Sequence, residues 1–186
     1  MIILNLTTPS HSIWKASKYI NLNKVQISIQ NIDRTDKQLS NACYYNHPYS
    51  VAIALMGCPV FFQETHYYSD EAREQIRSFL NIYKQVRHEM FKGFVFPIGD
   101  KPNDKNWTGF QNHNPENDSG YLLIFRELNN EDKNKDISLH FISEKRIRMK
   151  NLISGDSFTV KSDNQGKINI TIENPAEFLY LKYEMF

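Results

Sequence analysis

Residues 69–93 read SDEAREQIRSFLNIYKQVRHEMFKG, and this stretch divides the chain. Ala72, Ile76, Phe79, Leu80, Tyr83, Val86 and Met90 recur at steps of three and four, the spacing that gathers side chains on one side of an α-helix. Ser69 or Asp70 is placed to cap the start, and Asp70 and Glu71 suit the positive end of the helix dipole. Lys84, Arg87, His88 and Lys92 crowd the last turns, and Gly93 is a natural stop. The charges on this helix read as a solvated, dipole-matched face.

Downstream of Gly93 the period changes to two. Short strands are predicted over residues 94–98, 107–111, 120–127, 136–142, 146–151, 157–161, 167–172 and 176–183. Turn-rich segments such as GDKPNDKN and NNEDKNKD separate them. Ile168, Ile170 and Ile172 alternate, as do Leu179 and Leu181, and residues 163–166 (DNQG) read as a hairpin tip. Closely spaced strands with such turns predict an antiparallel β-sandwich.

Upstream, elements of both kinds are mixed. KVQISIQNI, residues 24–32, puts Val25, Ile27 and Ile29 on one face of a strand. Residues 33–41 are polar and read as a loop. HPYSVAIALMG, residues 47–57, is a short buried helix, with Pro48 in its first turn and Gly57 as its stop. CPVFF, residues 58–62, is a continuous apolar run of the kind a buried strand shows. The fold class expected is therefore α+β: an α/β segment over residues 1–92, then an all-β sandwich domain over 93–186.

Composition narrows the function classes. The chain has 186 residues, with Lys+Arg 22 against Asp+Glu 21, a formal net charge of +1. That balance argues against a nucleic-acid partner bound through a basic surface. A mean hydropathy of −0.55 describes a globular chain, and no apolar run approaches the roughly 18–20 residues of a membrane span. Residues 1–6, MIILNL, lack the basic start and long apolar stretch of an export signal. Ile2, Ile3 and Leu4 fit a strand or packed turn, and a cytoplasmic location is the default. Cys43 and Cys58 are too few for a disulfide scaffold or a thiolate zinc site, and read as inert buried thiols. GxGxxG, Walker A, HExxH and GxSxG patterns are absent.

His47, His66 and His88 fall on a loop, a strand end and a helix, so no metal site and no cofactor is expected. His113 lies in NHNPEND, whose oxygens suit a hard cation in principle but are also ordinary turn residues. Among carboxylates, Glu64 directly follows the apolar strand, where α/β arrays gather functional side chains. Asp33 and Asp36 also follow a strand, in a polar loop. Trp107 with Phe110 would either stack on a sugar ring or pack against the long helix. Glu64 and Trp107 are the candidate substrate-binding residues.

The ordered series from Ser12 to Leu128 resembles the C-terminal part of α-galactosidase-like (melibiase-clan) glycoside hydrolases. It runs through SIWKASKYI, YSVAIALMGCPVFFQE, YKQVRHEMFKG, FVFPIGDKPNDKNWTGFQ and SGYLLIFREL. The matching residues are Lys84, Arg87 and Gly93, then Pro97, Ile98 and Gly99, then Trp107, Thr108, Gly109 and Phe110. Gly120, Tyr121, Leu123, Phe125, Arg126 and Glu127 complete the series. The resemblance implies the end of a (β/α)8 barrel running through a final helix into an all-β domain. It also implies that the two catalytic aspartates lie on barrel strands absent from this chain, so it assigns no catalytic residue. Ser28 stands where the family often has a glutamate, and Glu64 is the residue placed to face the barrel mouth. About 90 residues before Gly93 supply some two of the eight barrel units.

The function expected is thus that of a C-terminal portion of an α-galactosidase-like glycoside hydrolase, inactive alone. A non-catalytic carbohydrate-binding or structural β-sandwich module is the alternative. Carbohydrate, a further copy of the chain or the missing barrel portion are the expected partners, with neither nucleic acid nor membrane.

Overall fold

The structure is a computed structural model that describes residues 7–37, 41–61 and 65–186. The expectation for Ile2, Ile3 and Leu4 lies outside these residues. Among the described residues three α-helices and ten strands follow in chain order: α1 Thr7–Ala16, β1 Gln26–Ser28, α2 His47–Ala54, β2 Cys58–Val60, α3 Asp70–Met90, then β3 Phe94–Gly99, β4 Trp107–Asn114, β5 Ser119–Arg126, β6 Asn134–Ser138, β7 Arg146–Asn151, β8 Ser157–Lys161, β9 Lys167–Thr171 and β10 Glu177–Met185. Among the described residues no helix is long and apolar enough to cross a membrane.

Helix α3 forms where its periodicity places it. The Ser69 hydroxyl accepts from the Ala72 N–H at 3.1 Å, with Asp70 and Glu71 in the first turn and Arg87 and His88 in the last. Ala72, Ile76, Tyr83 and Met90 are buried, while Phe79, Leu80 and Val86 are half-buried against the same core. The Tyr83 hydroxyl donates to the Gly57 carbonyl at 2.8 Å, tying α3 to the turn between α2 and β2.

Antiparallel pairing joins six strands in the order β3-β4-β5-β10-β7-β8, and β6 pairs with β9 in a separate two-stranded sheet. The large sheet has helices on one face and β6–β9 on the other, and strand alternation sorts its side chains accordingly. On β5, Tyr121, Leu123 and Phe125 join the helical core, whereas Leu122 and Ile124 join Ile137, Ile168, Ile170 and Ile172 in the inter-sheet core. Burial on both faces explains why YLLIF is a continuous apolar run inside an antiparallel sheet, which usually alternates.

Several boundaries differ from the sequence reading. The strand expected over 24–32 shrinks to β1, because short 3-10 turns at Leu22–Lys24 and Ile32–Arg34 take its ends. Each turn is capped by an asparagine, Asn21 or Asn31, whose side chain accepts from the backbone two residues on. Such side chains compete locally with strand pairing. His113 lies on β4 rather than in a loop, buried, and the turn of NHNPEND starts only after Asn114. Residues 163–166 do turn, with the Asp163 carboxylate accepting from the N–H groups of Gln165 and Lys167 at 2.8 Å. The flanking strands β8 and β9 nevertheless belong to different sheets, so the turn is a corner and not a hairpin tip.

Strand β3 is an edge, and side chains cover its free backbone groups. Asn21 accepts from the Val95 N–H and donates to the Gly93 carbonyl, and Asn23 donates to that same carbonyl at 2.7 Å. The Trp14 indole donates to Ile98 O at 3.1 Å, and His140 Nε2 lies 3.1 Å from Pro97 O. Pro97 itself has no N–H. An edge so blocked cannot template another strand, and the same bonds fasten residues 14–23 to the sheet.

Candidate functional site

β1 and β2 run parallel, pairing Gln26 with Cys58, Ile27 with Pro59 and Ser28 with Val60, and α2 crosses between them. This β-α-β unit has its loops at the C-terminal ends of the strands, where α/β arrays place ligand-facing groups. Three side chains converge there. Asp33 is brought by the 3-10 turn after β1, His47 by the first residue of α2, and Tyr68 by the segment after β2.

His47 Nε2 lies 3.0 Å from the Asp33 carboxylate. The His47 side chain is 10% exposed, whereas that of Asp33 is half open to solvent. Tyr68, 4% exposed, packs edge-on against His47 at 5.6 Å between ring centres. Burial, followed by the Asp33 charge, pushes the Tyr68 hydroxyl up to about 12, so it stays protonated and available as a donor. Neither His47 Nδ1 nor the Tyr68 hydroxyl has a partner among the described residues, and both are buried. Ser50 donates to the Gln30 carbonyl at 2.9 Å, fixing the loop beneath the cluster.

The arrangement orients an imidazole by a carboxylate and adds a phenol, a set suited to hydrogen-bonding hydroxyl groups. It does not supply the two flanking carboxylates that glycoside hydrolysis uses. Among the described residues no group of three His, Cys, Asp or Glu side chains is placed to hold a metal ion. The sequence places Asp33 in a polar loop and gives His47 no partner. The usable signal was that both bracket the C-terminal end of one strand.

The candidates named from sequence fare differently. Glu64 lies outside the described residues; Phe61 and Thr65 flank that segment. Trp107 is 1% exposed, in the core between the two sheets, and its indole donates to Asp132 O at 3.1 Å. It offers no ring face to a ligand and does not pack on α3. Phe110 does join the helical core. An odd separation along one strand puts the two rings on opposite faces, so they form no shared surface.

His113 belongs to a buried polar network instead of a cation loop. Its Nδ1 is 2.8 Å from the Tyr183 hydroxyl, which also accepts from Gln111 at 3.0 Å. Gln111 spans to the His140 backbone, donating to its carbonyl and accepting from its N–H. A buried acid, Glu127, accepts from the N–H groups of Asn103 and Asn106, ordering the loop before β4. Burial raises its carboxyl above the usual range.

No family model and no curated protein matches the sequence. Solved structures do. The galactosidase domain of an α-galactosidase–sucrose kinase, AgaSK, superposes with a TM-score of 0.68 at 12% identity, over 98% of this chain and 25% of that one. The fold is that of the C-terminal part of an α-galactosidase-like enzyme. A GH36 α-galactosidase from Geobacillus stearothermophilus, in complex with raffinose, matches with a TM-score of 0.64 at 8% identity, over 98% of this chain and 25% of that one. A noncanonic maltogenic α-amylase, AmyB, from Thermotoga neapolitana matches with 0.55 at 17% identity, over 98% of this chain and 47% of its own. The chain therefore spans about a quarter of the length of the α-galactosidase-like structures.

Proposed function

We propose that this chain is a non-catalytic C-terminal portion of an α-galactosidase-like glycoside hydrolase. Residues 1–92 are the closing β/α units of a barrel and residues 93–186 the sandwich domain that supports them. The observation that carries this reading is the parallel β1–β2 unit, with Asp33, His47 and Tyr68 at its C-terminal ends, fastened to an antiparallel sheet in an α-galactosidase-like fold. In this reading these side chains and Glu64 contribute to the rim of a sugar site whose reacting carboxylates come from elsewhere. In this reading the chain alone hydrolyses no glycoside, because the carboxylate pair that hydrolysis requires is supplied from elsewhere.

The test is to incubate the purified chain with an aryl α-galactoside beside a Glu64→Gln variant. No turnover by either is expected. Turnover by the native chain that disappears in the variant overturns the reading and makes Glu64 catalytic.

A second reading, a carbohydrate-binding module, is favoured by exposed rings on the β3 side. Tyr19 is 80% and Phe141 64% exposed, and Phe94, the first residue of β3, is exposed as well. Phe141 holds a left-handed φ of 63° and packs edge-on against Phe96 at 5.3 Å. Bulky residues adopt that backbone only under constraint. Calorimetric titration with raffinose separates the readings: binding abolished by Phe141→Ala supports the module.

A further inference from the structure

The two edges of the six-stranded sheet differ. Side chains cover β3, whereas β8, at the other edge, pairs only with β7 among the described residues. Asn151 donates to the Asp156 carbonyl at 2.8 Å and Ser162 to the Lys145 carbonyl at 3.0 Å. Antiparallel pairing alternates, so the even-numbered residues of β8 turn their backbone groups to β7. Ser157, Thr159 and Lys161 turn theirs outward, where no other described residue bonds them. A row of donors and acceptors at strand spacing is completed by another extended segment.

Charge on the adjoining face is unbalanced. Ile147 and Met149 of β7 enter the inter-sheet core, which puts Arg146, Arg148 and Lys150 on the opposite face, exposed. Arg146 stands opposite Lys161, and Lys150 stands between Ser157 and Lys182. Like charges set across two strands in this way repel. Glu89 and Glu184 meet Lys182 at 3.2 and 3.7 Å. Among the described residues no carboxylate forms an ion pair with Arg146, Arg148, Lys150 or Lys161. The net charge of the whole chain is only +1, so this excess is local. The other side of β8 is apolar, with Phe158 exposed and Val160 half-buried against the inter-sheet core.

We propose that β8 receives an extended segment of a partner protein as a seventh strand of the sheet, with glutamate or aspartate on the face of Lys161 and Arg146 and apolar residues on the face of Phe158. Backbone bonds to Ser157, Thr159 and Lys161 give the affinity and fix the register. Carboxylates on every second residue, about 7 Å apart, meet Lys161 and offset its repulsion with Arg146. A second copy of β8 at this edge would bring its own Lys161 and Arg146 onto the same face, which that repulsion opposes. The edge and its charge stand independently of the barrel reading.

The probe is a fluorescent peptide that alternates glutamate and valine over about the length of an ordinary strand. Its control replaces each glutamate by lysine. Fluorescence anisotropy is expected to show the glutamate peptide binding about tenfold more tightly, with the difference shrinking as salt is raised. An Arg146→Glu/Lys161→Glu variant should reverse the preference. Thr159→Pro removes an outward N–H that β7 does not use, a place where an edge strand tolerates proline, and should weaken the glutamate peptide about tenfold by taking one bond and blocking close approach. Circular dichroism checks that each variant folds. No binding of the glutamate peptide, equal affinity for the two peptides, or a preference unmoved by the charge reversal overturns the proposal. So does binding that Thr159→Pro leaves unchanged, because charge alone would then hold the peptide. Sedimentation showing a dimer of this chain that Thr159→Pro dissociates also overturns it, because the edge would then belong to a second copy.

Discussion

The indole N–H of Trp14 donates to the backbone carbonyl of Ile98, 84 residues away in sequence, at 3.1 Å. One residue is on α1 and the other on the edge strand of the sheet, so a single bond closes the N-terminal segment onto the all-β region. With Asn21 and Asn23 on Gly93, it makes the first part of the chain the cover of the β3 edge. Lys18 lies over the outer face of the same ring at 4.2 Å, keeping its apolar surface from water.

Trp14→Phe keeps most of the buried ring and removes the donor. Leaving Ile98 O without that partner is expected to lower stability by about 1–3 kcal/mol, the range for a buried group left unsatisfied. In urea unfolding the midpoint should fall while the slope stays constant. An unchanged midpoint would mean that solvent replaces the indole.

The α3 stripe is graded. Met90 is 1% exposed and accepts a contact from the Tyr180 hydroxyl on its sulfur, whereas Phe79 is half-buried against Phe178. Met90→Ala should therefore cost about 2–5 kcal/mol and Phe79→Ala about half the 3–5 kcal/mol of a fully buried phenylalanine. Equilibrium unfolding of the two variants checks the order; a larger loss at Phe79 contradicts it.

Gly93 ends α3 where the chain turns into β3. A methyl group there would stand 2.6 Å from Asn112 Oδ1 and 2.8 Å from the His113 carbonyl oxygen. Asn112 is held by its own bond to Met90 O at 2.9 Å and cannot swing aside freely. Gly93→Ala is expected to destabilise by about 1–3 kcal/mol, as overpacking does, and to lower the melting temperature. A neutral result would show that the α3–β3 junction shifts to accommodate the methyl.

Among the groups that make stability depend on pH, His113 and Glu89 lose their contribution as pH falls. Burial pushes the His113 imidazole below 6.5. Because the unfolded chain then binds the proton more readily, its contribution is full above about 6.5 and is lost as pH falls through the folded value. Glu89 is held below the usual carboxylate range, first by the Tyr121 hydroxyl donating at 2.6 Å and then by Lys182 at 3.2 Å. Its contribution is full above about 4.5 and is lost below. Urea midpoints between pH 8 and pH 3 should show two descending limbs. His113→Gln should remove the upper one and Glu89→Gln the lower. A variant that keeps its own limb would assign that limb to another group.

Sequence alone determined the elements whose burial repeats. The α3 stripe is visible because a helix buries one face every three to four residues. Strands such as β7 and β9 were visible because a sheet alternates, and β7 and β8 came out with their full bounds. The run Tyr121–Phe125 does not alternate, because the structure covers its strand on both faces. Tertiary structure alone decided what depends on a distant partner. Helix α1 drew no assignment from TTPSHSIWKA, since its position rests on Trp14 reaching Ile98. The expected strand over 24–32 lost its ends to asparagine caps. Trp107 and Phe110 parted to opposite faces once the register of β4 was set, and His113 went inside because Tyr183 and Gln111 were there to receive it. Asp33 and His47 met only when β1 and α2 were brought side by side. Apolar burial leaves a period in the chain because it is satisfied by any neighbour of the right size. A hydrogen bond between two side chains far apart leaves none, because it requires one particular partner whose position the whole fold provides.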